Sequence, residues 1–230
     1  MTAPQEVTSV ASTVGRRGRL IDLATLCISL ASLTIALMIY VRSRQTSMPD
    51  ASEGSRVIAN WPAVWRVGHA EGALQPLTRI VVFEDYQCPF CAALSPTIKK
   101  VLAAHRDLAV VYRNYPLMGV HPYALTAAIA AECASQQGRF LQFRDSLYSH
   151  QNLIGTRSWT DFAREVGVRD LSGFDKCMVE DGAARKRVAI DVAAARTLKL
   201  SGTPSVIVGG TLLSGTPSEE ELLAAFKDAR

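Results

Sequence analysis

Cys88-Pro89-Phe90-Cys91 is the segment of this 230-residue chain whose residue types and spacing best suit chemistry. It follows Arg79–Tyr86 (RIVVFEDY), a β-branched and aromatic run with the composition of a buried strand. It precedes Ala92–His105, which is helical in composition, with Pro96 placed to kink it. A sulfur where a helix begins faces unpaired N–H groups and the positive end of the helix dipole. An ordinary cysteine thiol titrates near ~8.5, and sites of this kind lower it by ~2–4 units, which favours the thiolate by roughly 3–5 kcal/mol. Cys88 is therefore the expected nucleophile and Cys91 the resolving thiol. Because a stabilised thiolate is also a good leaving group, the expected reaction is disulfide exchange through a mixed disulfide at Cys88.

The other common use of such a pair is half a zinc site. Zinc needs four ligands, and no second CxxC or His-x3-His pair completes the set. His121, just ahead of Pro122, reads as a loop residue, and His69, His105 and His150 show no ligand spacing. The expectation is no metal and no cofactor, the cysteine pair carrying the electrons itself. Pro89 and Phe90 tune the thiolate and its contacts. Phe90 either packs against unfolded chains or is a surface residue of little effect.

The elements that must position this pair begin about sixty residues into the chain. Residues 1–60 hold 6 basic and 4 acidic side chains and residues 61–230 hold 19 and 17, so no concentrated basic face marks a nucleic-acid binder. Leu23–Val41 is uncharged and long enough to cross a membrane, with Arg16, Arg17 and Arg19 before it and Arg42 and Arg44 after it. The basic count favours a cytoplasmic amino end. The competing reading is a cleaved signal peptide, but no small-x-small site follows the stretch, and Leu26 before Cys27 does not fit a lipoprotein signal. Cys27 reads as a small apolar residue. The expected organisation is a tail over 1–19, a transmembrane anchor over 20–41, a polar linker over 42–60 and a packed domain over 61–230.

Within that domain a second strand is expected at Leu108–Arg113. A helical block follows, made of Pro122–Gln137, Phe140–His150, Ser158–Val166 and Gly182–Leu198. Strands return at Ser205–Val208 and Thr211–Leu213 around Gly209-Gly210, and a last helix opens at Ser218 with Glu221 as a capping box. The fold class is α/β with a helical insertion. Trp61 and Trp65 read as packing residues. Cys133 lies on an apolar helix face and Cys177 falls in the same block; two buried thiols is the plain reading of this pair.

The stretches VVFEDYQCPFC, HPYALTAAIAAECASQQGRF and SGTPSVIVGG, with Pro96 in the helix after the motif, resemble the DsbA-like branch of the thioredoxin superfamily. The resemblance covers Trp61–Arg230. It implies a thioredoxin-like fold with a helical domain inserted over about 117–199, and a cis proline at Thr203-Pro204 facing the disulfide and pairing with substrate. Some relatives carry a bridge in the insertion, which implies a Cys133–Cys177 disulfide closing a loop of about 45 residues and contributing roughly a few kcal/mol. Many relatives place a buried acid six residues before the first active-site cysteine. Here Val82 stands there, with Glu84 and Asp85 nearer the motif. Lack of that acid implies slower resolution through Cys91, favouring the oxidising direction or reliance on water; with a shifted register Glu84 serves instead.

Together these readings give a membrane-tethered, extracytoplasmic thiol–disulfide oxidoreductase that introduces disulfides into exported proteins. Reoxidation falls to a quinone-linked membrane oxidase of the DsbB or vitamin-K-epoxide-reductase type. The alternatives are a reductase or isomerase, although residues 42–60 are too few for a dimerisation module, and a redox-inert chaperone or binding module on the same fold.

Overall fold

Alternate residues of Thr78–Glu84 (β3) feed two different cores, which is why this strand reads as an unbroken apolar run. Ile80 and Val82 face one core and Val81 and Phe83 the other, all nearly inaccessible. The same alternation holds in Leu108–Asn114 (β4), with Val110 and Tyr112 on one face and Val111 on the other. A central strand covered on both faces belongs to an α/β architecture. The computed structural model describes residues 29–38, 40, 56–179 and 182–228.

The chain divides into two units, residues 1–50 and 51–230. In the first, 29–38 (α1) is helical and Leu30, Leu33, Ile35 and Leu37 are exposed. Among the described residues no helix is long and apolar enough to cross a membrane. Much of the expected anchor, including residues 20–28 and 41, lies outside the described residues, as do the tail and most of the linker.

The second unit holds Arg56–Val57 (β1), Trp61–Trp65 (α2), His69–Gly72 (β2), β3, Pro89–Ala104 (α3) and β4. After a helical insertion it ends in Ser205–Val208 (β5), Thr211–Ser214 (β6) and Glu219–Asp228 (α9). The sheet order is β1-β6-β5-β3-β4-β2. β3 and β4 are parallel, joined by α3 as the crossover that parallel pairing requires, and the other pairings are antiparallel. β1 and the buried Ile58 draw on residues that the composition alone assigned to a tether, because Ile58 N–H donates to Gly210 O at 2.8 Å. β5 turns into β6 at Gly209 (φ 56°) and Gly210 (φ 100°), a left-handed pair that suits a two-residue hairpin. The Trp61 ring lies against Gly210 where a side chain would otherwise stand. Ser218 and Glu221 form the expected reciprocal cap of α9, at 2.7 and 3.2 Å.

The insertion between β4 and β5 comprises Ala124–Ser135 (α4), Phe140–Ser149 (α5), a 3-10 turn Gln151–Leu153, Trp159–Glu165 (α6), Leu171–Val179 (α7) and Ala183–Thr197 (α8). α7 was not expected from the sequence: it is short and contains Gly173. Phe143, Phe162 and Phe174 pack at the centre of the insertion, with ring centroids 5.9 and 6.3 Å apart. Buried polar bonds tie the insertion to the sheet. Asp191 of α8 accepts from Arg113 Nε at 2.7 Å and Asn114 N at 2.9 Å. Glu132 of α4 accepts from Asn114 Nδ2 at 2.8 Å and meets His69 Nε2 at 2.9 Å. Asp191 is thus matched by Arg113, and Glu132 by Arg187 of α8, whose Nε lies 2.8 Å from Oε2, as burial demands.

Candidate active site

Helix α3 begins at Pro89, three residues earlier than composition alone suggests, and this places Cys88 at its N-cap with extended φ −73° and ψ 119°. Pro89 suits the first helical position because its missing N–H would have no partner there and its φ is already helical. Cys91 then lies in the first turn, and both cysteines are free thiols, 3% and 2% exposed.

The two sulfurs are driven in opposite directions. Hydrogen bonding from Cys91, main-chain N–H groups of Cys91 and Phe90, and the Thr203 side chain together outweigh burial and hold the Cys88 thiol down at about 6. Burial pushes the Cys91 thiol well up, helped by the Cys88 sulfur and the Glu84 carboxylate. At neutral pH one sulfur is an anion and the other keeps its proton.

The Thr203-Pro204 peptide bond, in the loop before β5, is cis. Cys88 Sγ lies 3.2 Å from Thr203 O, to which it donates only while it carries its proton. Pro204 is buried, whereas Phe90 is 56% exposed. Cys133 and Cys177 are joined by a disulfide that ties α4 to α7, with Cα atoms 5.8 Å apart. It belongs to the insertion and is separate from the Cys88–Cys91 pair. Val82, at the position where relatives carry an acid, is buried in the main core. The buried carboxylate on that face of β3 is Glu84, two residues nearer the motif and 2% exposed, while Asp85 next to it is equally buried.

Several residues that sequence reasoning did not single out hold the motif in place. Asp85 Oδ1 accepts from Gln87 N at 2.8 Å, and Oδ2 accepts from Leu117 N at 2.8 Å. Its Oδ2 is also 2.8 Å from His121 Nδ1, so His121 braces the motif loop. Among the described residues no three His, Cys, Asp or Glu side chains gather as a metal site. Gln151 donates to Tyr86 O at 2.8 Å and to Cys88 O at 3.0 Å. Tyr123 N donates to Gln87 Oε1 at 2.6 Å. Of these, Asp85 alone carries a local signal, an acid at the end of a buried strand three residues ahead of a cysteine. The others sit beside the motif only after folding.

A thiolate at a helix start, a protonated partner one turn on and the Thr203 carbonyl beside the first sulfur are arranged for thiol–disulfide exchange on a thioredoxin-like fold. The sequence model of the Thioredoxin family matches residues 66–228, and this chain belongs to that family, in its DsbA-like branch. Over 161 residues it is 34% identical to the Na(+)/H(+) antiporter NhaA 3 of Salinispora tropica, covering 70% of this chain and 24% of that one. The Na(+)/H(+) antiporter NhaA 1 of Mycolicibacterium gilvum is 33% identical over 159 residues, 67% and 25% of the two chains. The chain thus spans about a quarter of the length of these curated relatives. Among solved structures, a thioredoxin-like oxidoreductase from Silicibacter pomeroyi is 26% identical with a TM-score of 0.65, covering 75% of this chain and 98% of that one. Pseudomonas aeruginosa DsbA2 is 25% identical with a TM-score of 0.63, covering 70% and 93%.

Proposed function

We propose that this chain is an extracytoplasmic thiol–disulfide oxidoreductase that donates its Cys88–Cys91 disulfide to cysteines of exported proteins. The observation that carries the reading is the split between the two sulfurs, with Cys88 held at about 6 and Cys91 pushed well up on the same helix turn.

In the oxidising direction a substrate thiolate attacks Cys88 Sγ, and Cys91 departs and takes up a proton, as its environment favours. A second substrate thiolate then attacks the substrate sulfur of the mixed disulfide. Cys88 leaves as a stabilised thiolate, the substrate gains a disulfide, and the protein is left with two reduced sulfurs. No cofactor is required. Lowering one thiol from 9.0 to about 6 stabilises the reduced form by about 1.4 kcal/mol at pH 7, equivalent to about 30 mV toward an oxidant.

Further support comes from an apolar rim beside the motif. Phe90, Met118, Val120 and Tyr123 are 56%, 51%, 69% and 44% exposed, and the bonds from Leu117 to Asp85 and from Tyr123 to Gln87 hold this segment at the motif. Such a rim suits an unfolded chain. Thr203 and Pro204 shape the groove, and the Cys133–Cys177 disulfide is structural.

The apolar run within residues 20–41 is read as a single-pass anchor with a cytoplasmic amino end, which sets the domain outside the cytoplasm. Reoxidation then falls to a quinone-linked membrane oxidase of the DsbB or vitamin-K-epoxide-reductase type. The matched segment's presence within longer chains named as antiporters supports work beside a membrane.

The reduction potential of the Cys88–Cys91 pair tests the direction. A value above about −200 mV supports disulfide donation, whereas one near that of thioredoxin, about −270 mV, favours the reductase reading. Cys88→Ser abolishes exchange if the chain is an enzyme and leaves function intact if it is a redox-inert binding module.

A further inference from the structure

At the end of the sheet away from the motif, two guanidiniums share one indole. Arg79 stands near the start of β3 on the face that carries Val81 and Phe83, and its guanidinium carbon lies 3.7 Å from the centre of the Trp65 ring. That of Arg66, just past α2, lies 5.5 Å from the same ring. The three side chains line a surface cavity of about 320 Å³ together with Leu74 and Pro76. Among the described residues neither arginine meets a carboxylate. Glu71 is the acid at the cavity wall, and its carboxylate accepts from the Tyr112 hydroxyl at 2.8 Å on the opposite face of the sheet. Stacking holds each guanidinium flat against the ring and leaves its N–H fork for the oxygens of a phosphate.

The rim of this cavity is apolar and fixed. Gly72 closes β2 with φ 105°, and a Cβ there would stand 2.6 Å from Leu108 O, so the chain leaves the strand in a turn that glycine allows. Ala73 N–H then donates to Leu108 O at 2.9 Å and Leu77 N–H to Asp107 O at 2.8 Å. Between these two anchors the loop presents Leu74, fully exposed, and it ends at Leu77, 72% exposed. A lone leucine in water is ordinary. Two on a pinned loop, beside an indole and two guanidiniums that lack a carboxylate, match the layers of a membrane interface: acyl chain, ring at headgroup level, cation on phosphate.

We propose that this end of the domain docks on the surface of an anionic phospholipid bilayer, with Arg66 and Arg79 on lipid phosphate and Leu74 and Leu77 among the upper acyl chains. The site lies at the start of β3 and the motif just past its end, about 20 Å away by strand rise. A docked domain therefore presents Cys88 to the aqueous side. Contacts this few bind reversibly, so the domain can also lift off and turn its motif to a membrane oxidase. Residues 42–55 reach at most about 50 Å, which keeps the bilayer within range of the anchor proposed above. The site itself stands without that anchor and without the thiol-exchange reading.

The test reads Trp65 directly. Full-length protein is reconstituted in vesicles whose lipids carry bromine on the acyl chain near the headgroup; if it stays in solution, it is mixed with them. One set is phosphatidylcholine alone and the other contains phosphatidylglycerol. Fluorescence relative to unbrominated vesicles reports contact with lipid, and Trp65→Phe shows what Trp61 and Trp159 contribute. The expected result is Trp65 quenching with phosphatidylglycerol that fades at high salt. Each of Arg66→Gln and Arg79→Gln is expected to lower the ratio of docked to undocked domain about fivefold. Leu74→Asp, at a fully exposed position, is expected to abolish docking and serves alone should the arginine variants fail to fold. Absence of Trp65 quenching overturns the proposal, as does equal quenching in phosphatidylcholine or parent-like quenching in folded variants. Soluble glycerol phosphate that shields Trp65 from iodide, with no quenching by vesicles, assigns the arginines to a free phosphate and overturns the bilayer site.

Discussion

Cys88 Sγ and the carbonyl oxygen of Thr203 lie 3.2 Å apart although 115 residues separate them in the chain. The contact brings the start of α3 and the loop ahead of β5 to one point, where the Thr203 hydroxyl, buried and holding no hydrogen bond of its own, is free to turn toward the Cys88 anion. Thr203→Val removes one hydrogen-bond donor to the thiolate while keeping the shape. It is expected to raise the Cys88 thiol and cost the anion about 1 kcal/mol, seen as several-fold slower alkylation at pH 6. An unchanged alkylation profile would show that the hydroxyl takes no part.

Proton linkage makes the stability of the reduced protein depend on pH. The Cys88 thiol is lowered from 9.0 to about 6, so the unfolded chain holds this proton where the folded protein has lost it. The contribution is present above the unfolded value and is lost as pH falls through about 6. Cys91 is raised, so below its ordinary value it is protonated in both states and adds no slope. Between pH 6 and pH 8 the reduced form is expected to gain about 2 kcal/mol relative to the Cys88→Ala variant. Urea unfolding at the two pH values measures it, and parallel behaviour of both proteins would contradict it.

Gln151 holds the motif from the insertion through the carbonyls of Tyr86 and Cys88. Gln151→Ala removes the side-chain donor from Tyr86 O and leaves Cys88 O with the α3 bond from Ala92 N alone, at a part-buried site. The expected cost is about 1–2 kcal/mol of stability, with slower exchange at Cys88. Chemical denaturation and the rate of reaction with glutathione disulfide check the two effects together.

The Cys133–Cys177 disulfide spans 44 positions of chain and ties α4 to α7 away from the motif. Replacing both cysteines with serine is expected to cost about 3–4 kcal/mol by freeing the unfolded chain. The Cys88 thiol should still titrate at about 6, because nothing that stabilises it involves α4 or α7. A matched loss of stability and of Cys88 reactivity would show that the insertion's fold and the site are coupled more tightly than this.

The parts of this molecule that were legible in the sequence are those set by neighbours in the chain. Cys88, Pro89 and Cys91 declare a helix start because capping is local, and β3 and β4 declare themselves through β-branched runs. β2 (HAEG) has no apolar alternation and pairs along one side only, at the sheet edge, so its composition says little. Glu84 and Arg144 sit 60 residues apart, and His121 and Asp85 are separated by 36. Nothing in either local stretch signals these pairings, which exist only once α5 and the 117–123 segment have docked on the sheet. Counting back from the motif finds Val82 where relatives carry an acid and Glu84 two residues nearer, and the fold buries both on one face of β3.

The proposed chemistry turns on the sulfur at position 88. The measurement that reaches it directly is the pH dependence of iodoacetamide alkylation of reduced protein, with modification at Cys88 and Cys91 resolved by peptide mass. The expected result is a midpoint for Cys88 at about 6, with Cys91 unreactive across the neutral range. A Cys88 midpoint near 9, or equal reactivity of the two thiols at pH 7, would contradict it.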